Sequence, residues 1–319
     1  MIRALVQTTP NTNYGPLLRE KLRGADEIVL APPADGHGPE IWGAVISDVY
    51  AALRDEKHNV KLARCQADAD EHICRAWTTG DVTRRIRTVR DTLLTDQTTA
   101  NPVPALVSAP PPERHVWIGR GTNTWRSDLT LAIRFERTAG PADLPGSTLG
   151  IPWMAGIPGS IGGWIAMNAG AFGHSISEAL DAVRIDGIWR NAADCGFGYR
   201  KSAIHGEIQD FRLKPRAEIK SEGSAAWYLA RRKRFPAGTF GSFFKNPDGD
   251  FAGRILEAAG AKDFRIGGAT VWHEHANVIV ASKDATPSDV LALAWKMTAA
   301  AHRTAAVTLE PEVRGITAY

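Results

Sequence analysis

Two patterns of apolar positions alternate along the first sixty residues. Apolar runs at 2–7 and 26–31 predict β-strands, whereas residues 15–23 and 39–56 predict helices, because their apolar positions recur every three or four residues. No candidate chemistry falls in this region, and the pattern predicts a small α/β unit. In the second helix, the predicted buried positions are Ile41, Ala44, Val45, Val49, Ala52 and Leu53.

The pattern is less regular between residues 59 and 135. A strand is predicted at 59–65, and a helix is predicted from Asp81 onward, where Val82, Ile86, Val89 and Leu93 form an apolar stripe. Residues 97–114 are rich in Pro, Thr and Ala without periodicity, which predicts an exposed loop. Strands are predicted at 116–118 and 131–135. The arginines of the predicted helix indicate a solvated face, with a phosphate site as the alternative: Arg84, Arg85, Arg87 and Arg90.

Strands and helices continue to alternate in the second half. Strands are predicted at 182–188 and 211–213 and within 269–281, and helices within 218–236, at 251–259 and at 287–301. Thr286 stands directly before the last of these and is a suitable N-cap residue. No internal repeat or coiled-coil pattern is found.

Composition narrows the class of protein. The 319 residues are 44% hydrophobic and 23% charged, as in soluble globular proteins, and the net charge of +3 gives no sign of nucleic-acid binding. No run approaches the length of a membrane span, and the N-terminus lacks a signal-like apolar segment. The three cysteines are few and odd in number, which favours a reducing compartment, so we expect a cytoplasmic protein.

No metal site is expected. Cys65 and Cys74 have no matching pair of ligands elsewhere, and His273 and His275 have no third ligand beside them.

Two glycine-rich segments are the strongest candidates for ligand binding. The segment GIPGSIGGWIAMNAGAFG, residues 156–173, contains six glycines and no charged residue. It is either an anion-binding backbone loop or a packing loop, and composition alone does not decide. The second segment, GRGTN, directly follows the strand at 116–118, where phosphates are commonly bound. It is not followed by a helix in GxGxxG spacing, so a Rossmann motif is excluded.

Four separated motifs resemble those of one family, the UDP-N-acetylenolpyruvoylglucosamine reductases. They are the 156–173 segment, DCGFGYRKS at 194–202, GSFFKNP at 241–247 and LEPEVR at 309–314. RIGGATVWHEHANVIV at 265–280 is also similar to the family, and GRGTN resembles its Gly-Gly-Gly-Ser-Asn loop. The resemblance is strong from Gly156 to Ile316 and weaker from Val60 to Arg134, and residues 1–57 have no counterpart.

The resemblance implies an α+β fold. A two-part FAD-binding domain of the vanillyl-alcohol-oxidase/PCMH type would precede an α+β substrate-binding domain. The implied parts are an N-terminal α/β extension at 1–57, FAD-binding subdomains at 58–140 and 141–214, and the substrate-binding domain at 215–319. The short connection between Leu213 and Gly238 is similar to the shorter, second subgroup of the family.

The resemblance also implies the reaction. NADPH would reduce bound FAD, and the reduced flavin would pass a hydride to C3 of the enolpyruvyl group of the UDP-N-acetylglucosamine substrate, giving UDP-N-acetylmuramate for peptidoglycan. Arg200 would bind the substrate carboxylate, Glu312 would assist as an acid, and Ser242 would protonate C2. A serine hydroxyl is a weak acid, so either Lys245 or the basicity of the enolate must assist it.

Further contacts follow from the same motifs. Tyr199, Lys245, Asn246 and Arg232 are the implied substrate contacts, and Arg232 is otherwise part of a charge cluster at a helix end. The partner is a nucleotide sugar, with no nucleic acid or membrane, and a monomer is favoured. The implied cofactor contacts are Gly119, Gly121, Thr122, Asn123, Gly159, Ser160, Ile161, Gly162, Asn168, Ala169 and Gly170.

Three departures from the family pattern keep alternatives open. A Gly-Gly-Pro-Ala turn of the family is replaced by residues 64–67, RCQA, the segment between Phe135 and Gly156 is short, and Ala203 and Ile204 follow the arginine motif. Two alternatives remain: a related flavin oxidoreductase acting on another substrate in specialised metabolism, and a non-catalytic relative that binds a nucleotide sugar.

Overall fold

The computed structural model describes residues 3–7, 12, 14–33, 36–64, 86–90, 116–118, 134–136, 142, 144–232 and 234–313. The chain divides into two compact units, and each is described by itself. Unit 1 comprises Met1–Glu113, Trp125–Leu131 and Pro236–Tyr319, and unit 2 comprises Arg114–Thr124 and Ala132–Phe235. Helices and strands are numbered in chain order.

Unit 1 begins with a four-stranded parallel sheet. The strand order is β3-β2-β1-β4, and Arg3 lies opposite Glu27 on one side and Ile86 on the other. The predictions of two strands and two helices in the first 57 residues are confirmed. The elements are β1 Arg3–Gln7, α1 Pro16–Leu22, β2 Glu27–Ala31, α2 Pro39–Asp55, β3 Val60–Leu62 and β4 Ile86–Arg90.

The helix predicted from Asp81 is wrong where the structure describes it. Residues 86–90 form β4, which runs parallel to β1. The stripe of apolar residues at helical spacing was misleading because Ile86, Thr88 and Val89 also suit a strand, and pairing with β1 supplies the backbone hydrogen bonds.

The C-terminal part of unit 1 is a small antiparallel sheet with a long helix. In β12-β13-β14 each strand pairs with its sequence neighbour. The helix α6 begins with a capping box, in which the Thr286 hydroxyl accepts from the Asp289 N–H and the Asp289 carboxylate accepts from the Thr286 N–H. The elements are α5 Ala252–Ala258, β12 Arg265–Ile266, β13 Ala269–Val271, β14 Ile279–Ala281 and α6 Pro287–Ala305.

Helix α2 packs directly on α6, and the two share one hydrophobic core. A Cβ on Gly43 would lie 2.5 Å from the carbonyl oxygen of Trp295, so only glycine allows this approach. The rings of Trp42 and Trp295 meet edge to face at 4.8 Å. The hydroxyl of Ser47 is fully buried and lies 2.6 Å from the carbonyl oxygen of Ala292. The N-terminal α/β region is therefore built into the C-terminal part of the chain. The division into four domains stays a prediction.

The buried face of α2 differs from the predicted one. Val49 and Leu53 are buried as expected, but Ile41 is 45% exposed. The buried face instead contains Gly43 and Ser47, which are small and allow closer contact with α6 than a larger apolar side chain would. The Ser47 hydroxyl can bond the Gly43 carbonyl oxygen of its own helix.

Unit 2 is built around the strand β9, which pairs antiparallel with β10 and β11. Its core contains Trp153, Ile161, Trp164, Ile176 and Leu180. Of the predicted strands, 116–118 is confirmed, and 131–135 is confirmed at Arg134 and Phe135, since residues 131–133 lie outside the described residues. The elements are β5 Val116–Ile118, β6 Arg134–Glu136, α3 Ile161–Ala166, β7 Gly170–Ala171, β8 His174–Ser175, β9 Leu180–Ile185, β10 Ile188–Asn191, β11 Ile208–Leu213 and α4 Ala225–Arg231.

Among the described residues, no helix combines the length and apolar character that crossing a membrane requires.

Candidate active site

The serine motif and the glutamate motif lie side by side in unit 1. Ser242 forms an antiparallel bridge with Val278, and Phe244 forms one with Pro311. The backbone N–H of Glu312 donates to the carbonyl oxygen of Phe243 at 2.8 Å. The strand that carries Ser242 is therefore held between the segment that follows β13 and the segment that carries Glu312. Two motifs separated by seventy residues are brought together.

Burial anchors this strand and leaves its serine accessible. Phe243 and Phe244 are 0% and 1% exposed, whereas Ser242 and Glu312 are half-buried. The hydroxyl of Ser242 has no hydrogen-bond partner among the described residues. A hydroxyl held by a rigid backbone and not engaged by its neighbours is free to donate to a ligand. The catalytic roles of Ser242 and Glu312 stay predictions.

The two residues that follow the serine strand are engaged with the protein. The Lys245 ammonium group pairs with the Glu310 carboxylate, and the Lys245 N–H donates to the Glu310 carbonyl oxygen at 2.8 Å. The Asn246 carboxamide oxygen accepts from the N–H of Ala252 at 3.1 Å, at the start of α5. Both side chains therefore have structural roles, and their predicted contacts with substrate stay predictions.

Sequence reasoning missed Asn277 at this site. It is only 2% exposed, and its carboxamide bonds both the N–H and the C=O of Phe244, at 2.9 and 2.8 Å. Its position inside the HANVIV stretch, which is similar to the family, was the available signal. The spacing alone could not reveal the pairing, because thirty-three residues separate Asn277 from Phe244.

Arg200 in unit 2 lies on a tight turn. Gly198 and Lys201 exchange backbone hydrogen bonds of 3.0 and 3.3 Å, with Tyr199 and Arg200 at the tip. Arg200 has a φ of +54°, a left-handed conformation that costs a non-glycine residue about 1–2 kcal/mol. Its guanidinium Nη2 donates to the Gly170 carbonyl oxygen at 3.0 Å. Strain of this kind is often retained at functional sites.

The arginine turn is fixed to the glycine-rich segment by three side chains. Besides Arg200, the Asn168 amide Nδ2 donates to the Gly198 carbonyl oxygen at 2.9 Å, and the Ser202 hydroxyl donates to the Ala166 carbonyl oxygen at 2.9 Å. Asn168 also accepts from the Ser177 N–H at 3.2 Å, so both ends of its carboxamide are used. Asn168 therefore positions the turn, and its predicted contact with a cofactor stays a prediction.

Much of the glycine-rich segment serves packing. The Ser160 hydroxyl caps α3 by accepting from the Gly163 N–H at 3.3 Å. Ile161 is fully buried, and its N–H donates to the Leu144 carbonyl oxygen at 3.0 Å. Ile161 therefore lies in the core of unit 2, and its predicted contact with a cofactor stays a prediction. A Cβ on Gly170 would lie 1.9 Å from the His174 carbonyl oxygen, which requires glycine there.

One side of the segment remains open to a flat ligand. Gly159 has a φ of +116°, and Gly159, Gly162 and Ala169 are half-buried. Among the described residues, a Cβ on Gly163 would meet only the Ser160 hydroxyl oxygen, at 3.4 Å. This space beside Gly163 is compatible with a flat ligand, and the predicted cofactor contacts of Gly159, Gly162 and Ala169 stay predictions. The other predicted contacts, Gly119, Gly121, Thr122 and Asn123, lie outside the described residues.

Arg232 is partly buried and is used as an internal clamp. Its Nε donates to the Ala155 carbonyl oxygen at 2.9 Å and its Nη2 to the Trp153 carbonyl oxygen at 3.1 Å. Burial lowers the pKa of its guanidinium. The contact of Arg232 with substrate stays a prediction, and these two bonds leave both Nη1 hydrogens and one Nη2 hydrogen to make it.

A second group that the sequence did not reveal lies after the glycine-rich segment. The two ring nitrogens of His174 bond the carboxylates of Glu178 and Glu222, each at 2.9 Å. The imidazole also stacks on Trp153 with 5.4 Å between ring centres. The Tyr228 hydroxyl bonds Glu222 and helps to lower the pKa of that carboxyl to about 2. This network ties β8 to the segment before α4.

Within the part of the chain that the structure describes, no group of three or more His, Cys, Asp or Glu side chains could hold a metal ion. The described cysteine, Cys195, is a buried free thiol whose pKa is raised by burial.

Comparison with known proteins agrees with these motifs. The family model "UDP-N-acetylenolpyruvoylglucosamine reductase, C-terminal domain" matches residues 233–316. The reductase of Chloroflexus aurantiacus is 32% identical over 242 residues, which cover 62% of this chain and 82% of the relative. This chain is therefore an α+β protein of the reductase type. It belongs to the UDP-N-acetylenolpyruvoylglucosamine reductase family.

Other relatives are matched over a smaller share of their length. The reductase of Helicobacter hepaticus is 36% identical over 166 residues, covering 52% of this chain and 63% of the relative. The reductase of Geobacter metallireducens is matched over 59% of its length. A solved reductase structure from Thermus caldophilus is 34% identical with a TM-score of 0.44, covering 52% of this chain and 63% of that one. The chain thus spans about 60% of the length of several curated relatives.

Proposed function

We propose that the protein is an FAD-dependent oxidoreductase that uses NADPH to reduce UDP-N-acetylglucosamine enolpyruvate to UDP-N-acetylmuramate in peptidoglycan synthesis. The observation that carries the proposal is the adjacency of the Ser242 strand and the Glu312 segment, joined by the Phe243–Glu312 hydrogen bond. Support comes from family membership and from the strained Arg200 turn bonded to the glycine-rich segment.

Reduction of an enolpyruvyl double bond requires a hydride at C3 and a proton at C2, and negative charge builds on the carboxylate in between. FAD, when bound and reduced by NADPH, would supply the hydride. Ser242 donates the proton, because its hydroxyl is half-buried and has no competing partner among the described residues. The enolate is basic enough to take a proton from a hydroxyl that is positioned beside it.

The source of assistance to Ser242 follows from the ion pair at Lys245. Its ammonium group is engaged with Glu310, and its backbone is fixed by the same residue. We therefore assign the driving force for protonation to the basicity of the enolate rather than to Lys245. Arg200 supplies a fixed positive charge for the carboxylate, and Glu312 assists as an acid.

The finer architecture is part of the proposal. The two-part FAD-binding fold of the vanillyl-alcohol-oxidase/PCMH type comprises residues 58–140, which are divided between the two units, and residues 141–214, which lie in unit 2 with the glycine-rich segment. Ser160, Gly162, Ala169 and Gly170 border the cofactor. Unit 1 carries the substrate-binding domain, to which the N-terminal α/β region adds sheet and helix.

A second candidate is a flavin oxidoreductase of the same family that acts on another substrate. The specific observation that favours it is the packing of α2 on α6, through which the chain adds to the serine-bearing unit an α/β region that the family pattern lacks.

The test is an NADPH oxidation assay with purified protein and added FAD. The proposal predicts oxidation that depends on UDP-N-acetylglucosamine enolpyruvate and yields UDP-N-acetylmuramate. Flavin binding without enolpyruvate-dependent turnover would favour the second candidate. Failure to bind FAD would contradict both, and would favour a non-catalytic protein that binds a nucleotide sugar.

A further inference from the structure

The side chain of Asn277 bonds the backbone of Phe244 in the way that a neighbouring strand would. Its Nδ2 donates to the carbonyl oxygen of Phe244 at 2.8 Å, and its Oδ1 accepts from the Phe244 N–H at 2.9 Å. Its own carbonyl oxygen accepts from the N–H of Phe243 at 2.8 Å. One buried residue therefore satisfies three backbone polar groups of the serine strand, the N–H of Phe243 and the N–H and C=O of Phe244.

Ser242 lies directly beside this clamp. It precedes Phe243 in the chain, and its bridge partner Val278 directly follows Asn277. On the opposite side, backbone bonds run from Glu312 to Phe243 and from Lys245 to Glu310, and the Lys245 ammonium group also pairs with the exposed Glu310 carboxylate. The carboxamide of Asn277 is the buried side chain that bonds the backbone of the serine strand directly.

We propose that Asn277 is a positioning residue for Ser242, which fixes the hydroxyl relative to Glu312 by clamping the backbone of Phe244. This inference rests on the proposed function, in which Ser242 is the proton donor. Proton transfer depends steeply on geometry, and a displacement of about 1 Å can cost roughly a hundredfold in rate. Without the carboxamide, the Phe244 N–H and C=O are buried without partners, which favours a shift of the strand.

The clamp requires a donor and an acceptor in one neutral group. A carboxylate at the same place accepts from the Phe244 N–H but repels the Phe244 carbonyl oxygen. A neutral carboxylic acid restores the donor. Asn277→Asp is therefore a conditional variant that forms the clamp only at low pH, and Asn277→Ala removes the clamp at every pH.

A matched control exists in the same unit. The fully buried hydroxyl of Ser47 lies 2.5 Å from the Gly43 carbonyl oxygen and 2.6 Å from that of Ala292, where α2 meets α6. Ser47→Ala destabilises unit 1 through lost buried hydrogen bonds without touching the serine strand. Asn277→Ala and Ser47→Ala are compared at temperatures where the two variants are equally stable. This comparison separates the positioning of Ser242 from general destabilisation of unit 1.

The first measurement needs neither cofactor nor substrate. Residue-resolved amide hydrogen exchange is expected to show roughly tenfold or greater acceleration at Phe244 in Asn277→Ala, and no such change in Ser47→Ala. In Asn277→Asp the carboxylate still accepts from the Phe244 N–H but repels the Phe244 carbonyl oxygen, so the protection factor at Phe244 is expected to lie between those of wild type and Asn277→Ala. This protection factor, in which the intrinsic pH dependence of exchange is divided out, rises as the pH falls. Unchanged exchange at Phe244 in Asn277→Ala would overturn the clamp.

The second measurement follows the two half-reactions of the FAD-loaded protein. In Asn277→Ala, reoxidation by enolpyruvate substrate slows about 10- to 100-fold, while reduction by NADPH is unchanged. In Asn277→Asp, the reoxidation rate relative to wild type rises as the pH falls. The ratio to wild type is used because both proteins share the other ionisable groups near the strand. These groups are His275, which accepts from the Asn277 N–H, and Lys245, Glu310 and Glu312 on the neighbouring segments.

Equal slowing of both half-reactions, or the same loss in Ser47→Ala, would overturn the positioning role. A wild-type protein that binds FAD but is not reoxidised by the substrate would instead contradict the proposed function, and the exchange result would still decide whether Asn277 clamps Phe244.

Discussion

The hydroxyl of Tyr50 donates a 2.8 Å hydrogen bond to Oδ1 of Asp289, across 239 positions of the sequence. Arg54 adds two bonds to the same carboxylate, at 3.1 and 3.2 Å, and the N–H groups of Gly268 and Thr286 complete the set of donors. Asp289 is fully buried, so its charge is stabilised entirely by these groups. The N-terminal region is thus joined to the helix that supports the C-terminal sheet.

Tyr50→Phe is expected to lower the free energy of unfolding of unit 1 by about 1–3 kcal/mol, because a buried carboxylate loses a donor. Urea unfolding measures the change. Tyr14→Phe is the matched control, since the Tyr14 hydroxyl, just before α1, bonds Glu56 at the end of α2 at 2.5 Å in an exposed setting. The control is expected to change stability by less than about 0.5 kcal/mol. Equal effects of the two substitutions would contradict the importance of the buried contact.

The charge of Asp289 makes stability depend on acid. Burial by itself raises the pKa of the carboxyl, but Arg54 and the surrounding donors outweigh it, so the pKa lies below its ordinary value of 3.8. A lowered pKa in the folded state contributes stability above the unfolded-state pKa, and that contribution is lost as the pH falls through the folded-state pKa. The stability difference between wild type and Asp289→Asn should therefore be constant above about pH 5 and shrink below about pH 4. A pH-independent difference would show that the pKa of Asp289 is the same in the folded and the unfolded protein, which would contradict the stabilisation of its charge.

His174 is expected to behave in the opposite way. Burial alone lowers the pKa of its imidazole, but the carboxylates of Glu178 and Glu222 outweigh it, so the pKa is raised above 6.5. Stability from this group is fully present below about pH 6.5 and is lost as the pH rises through the folded-state pKa. An NMR titration should give a raised pKa in wild type and a lower one in Glu222→Gln. Glu274→Gln, in unit 1, should leave it unchanged, and an unshifted His174 in Glu222→Gln would contradict the network.

Two glycines of the same segment are expected to respond differently to alanine. Gly170→Ala should destabilise unit 2 by about 1–3 kcal/mol, because the new methyl group would overlap the backbone at His174. Gly163→Ala should stabilise the protein without cofactor by about 0.5–1 kcal/mol, since it removes a glycine from a helix. If a flavin lies against the open side of Gly163, the same variant should bind FAD more weakly than wild type. Unchanged FAD affinity would contradict that placement of the cofactor.

The sequence pattern correctly predicted the helices and strands whose conformation depends on residues close by in the chain. The capping residues around Thr286 predicted α6, and the apolar spacing predicted α2. The sequence could not reveal which face of α2 is buried, because that depends on the fit of Gly43 and Ser47 to a helix more than 230 positions away. The strand at Ile86 was mistaken for a helix for the same reason, since β1 decides its conformation.

The candidate site was predicted through its motifs rather than its geometry. The motifs identified Ser242, Glu312 and Arg200. They did not identify Asn277, because an asparagine in the turn just before β14 has no local sign that it is buried and bonds the serine strand. Nor did they reveal which residues hold the loop, as Ser160 does by capping α3 and Ile161 does through its buried side chain and its N–H.

In the proposed reaction, Ser242 protonates the substrate after hydride transfer. The most direct test follows the flavin absorbance of the FAD-loaded protein under anaerobic conditions, first with NADPH and then with UDP-N-acetylglucosamine enolpyruvate. The flavin of Ser242→Ala is expected to be bleached by NADPH at the wild-type rate but not to recover its absorbance when substrate is added. Equal loss of both steps, or normal recovery in Ser242→Ala, would contradict it.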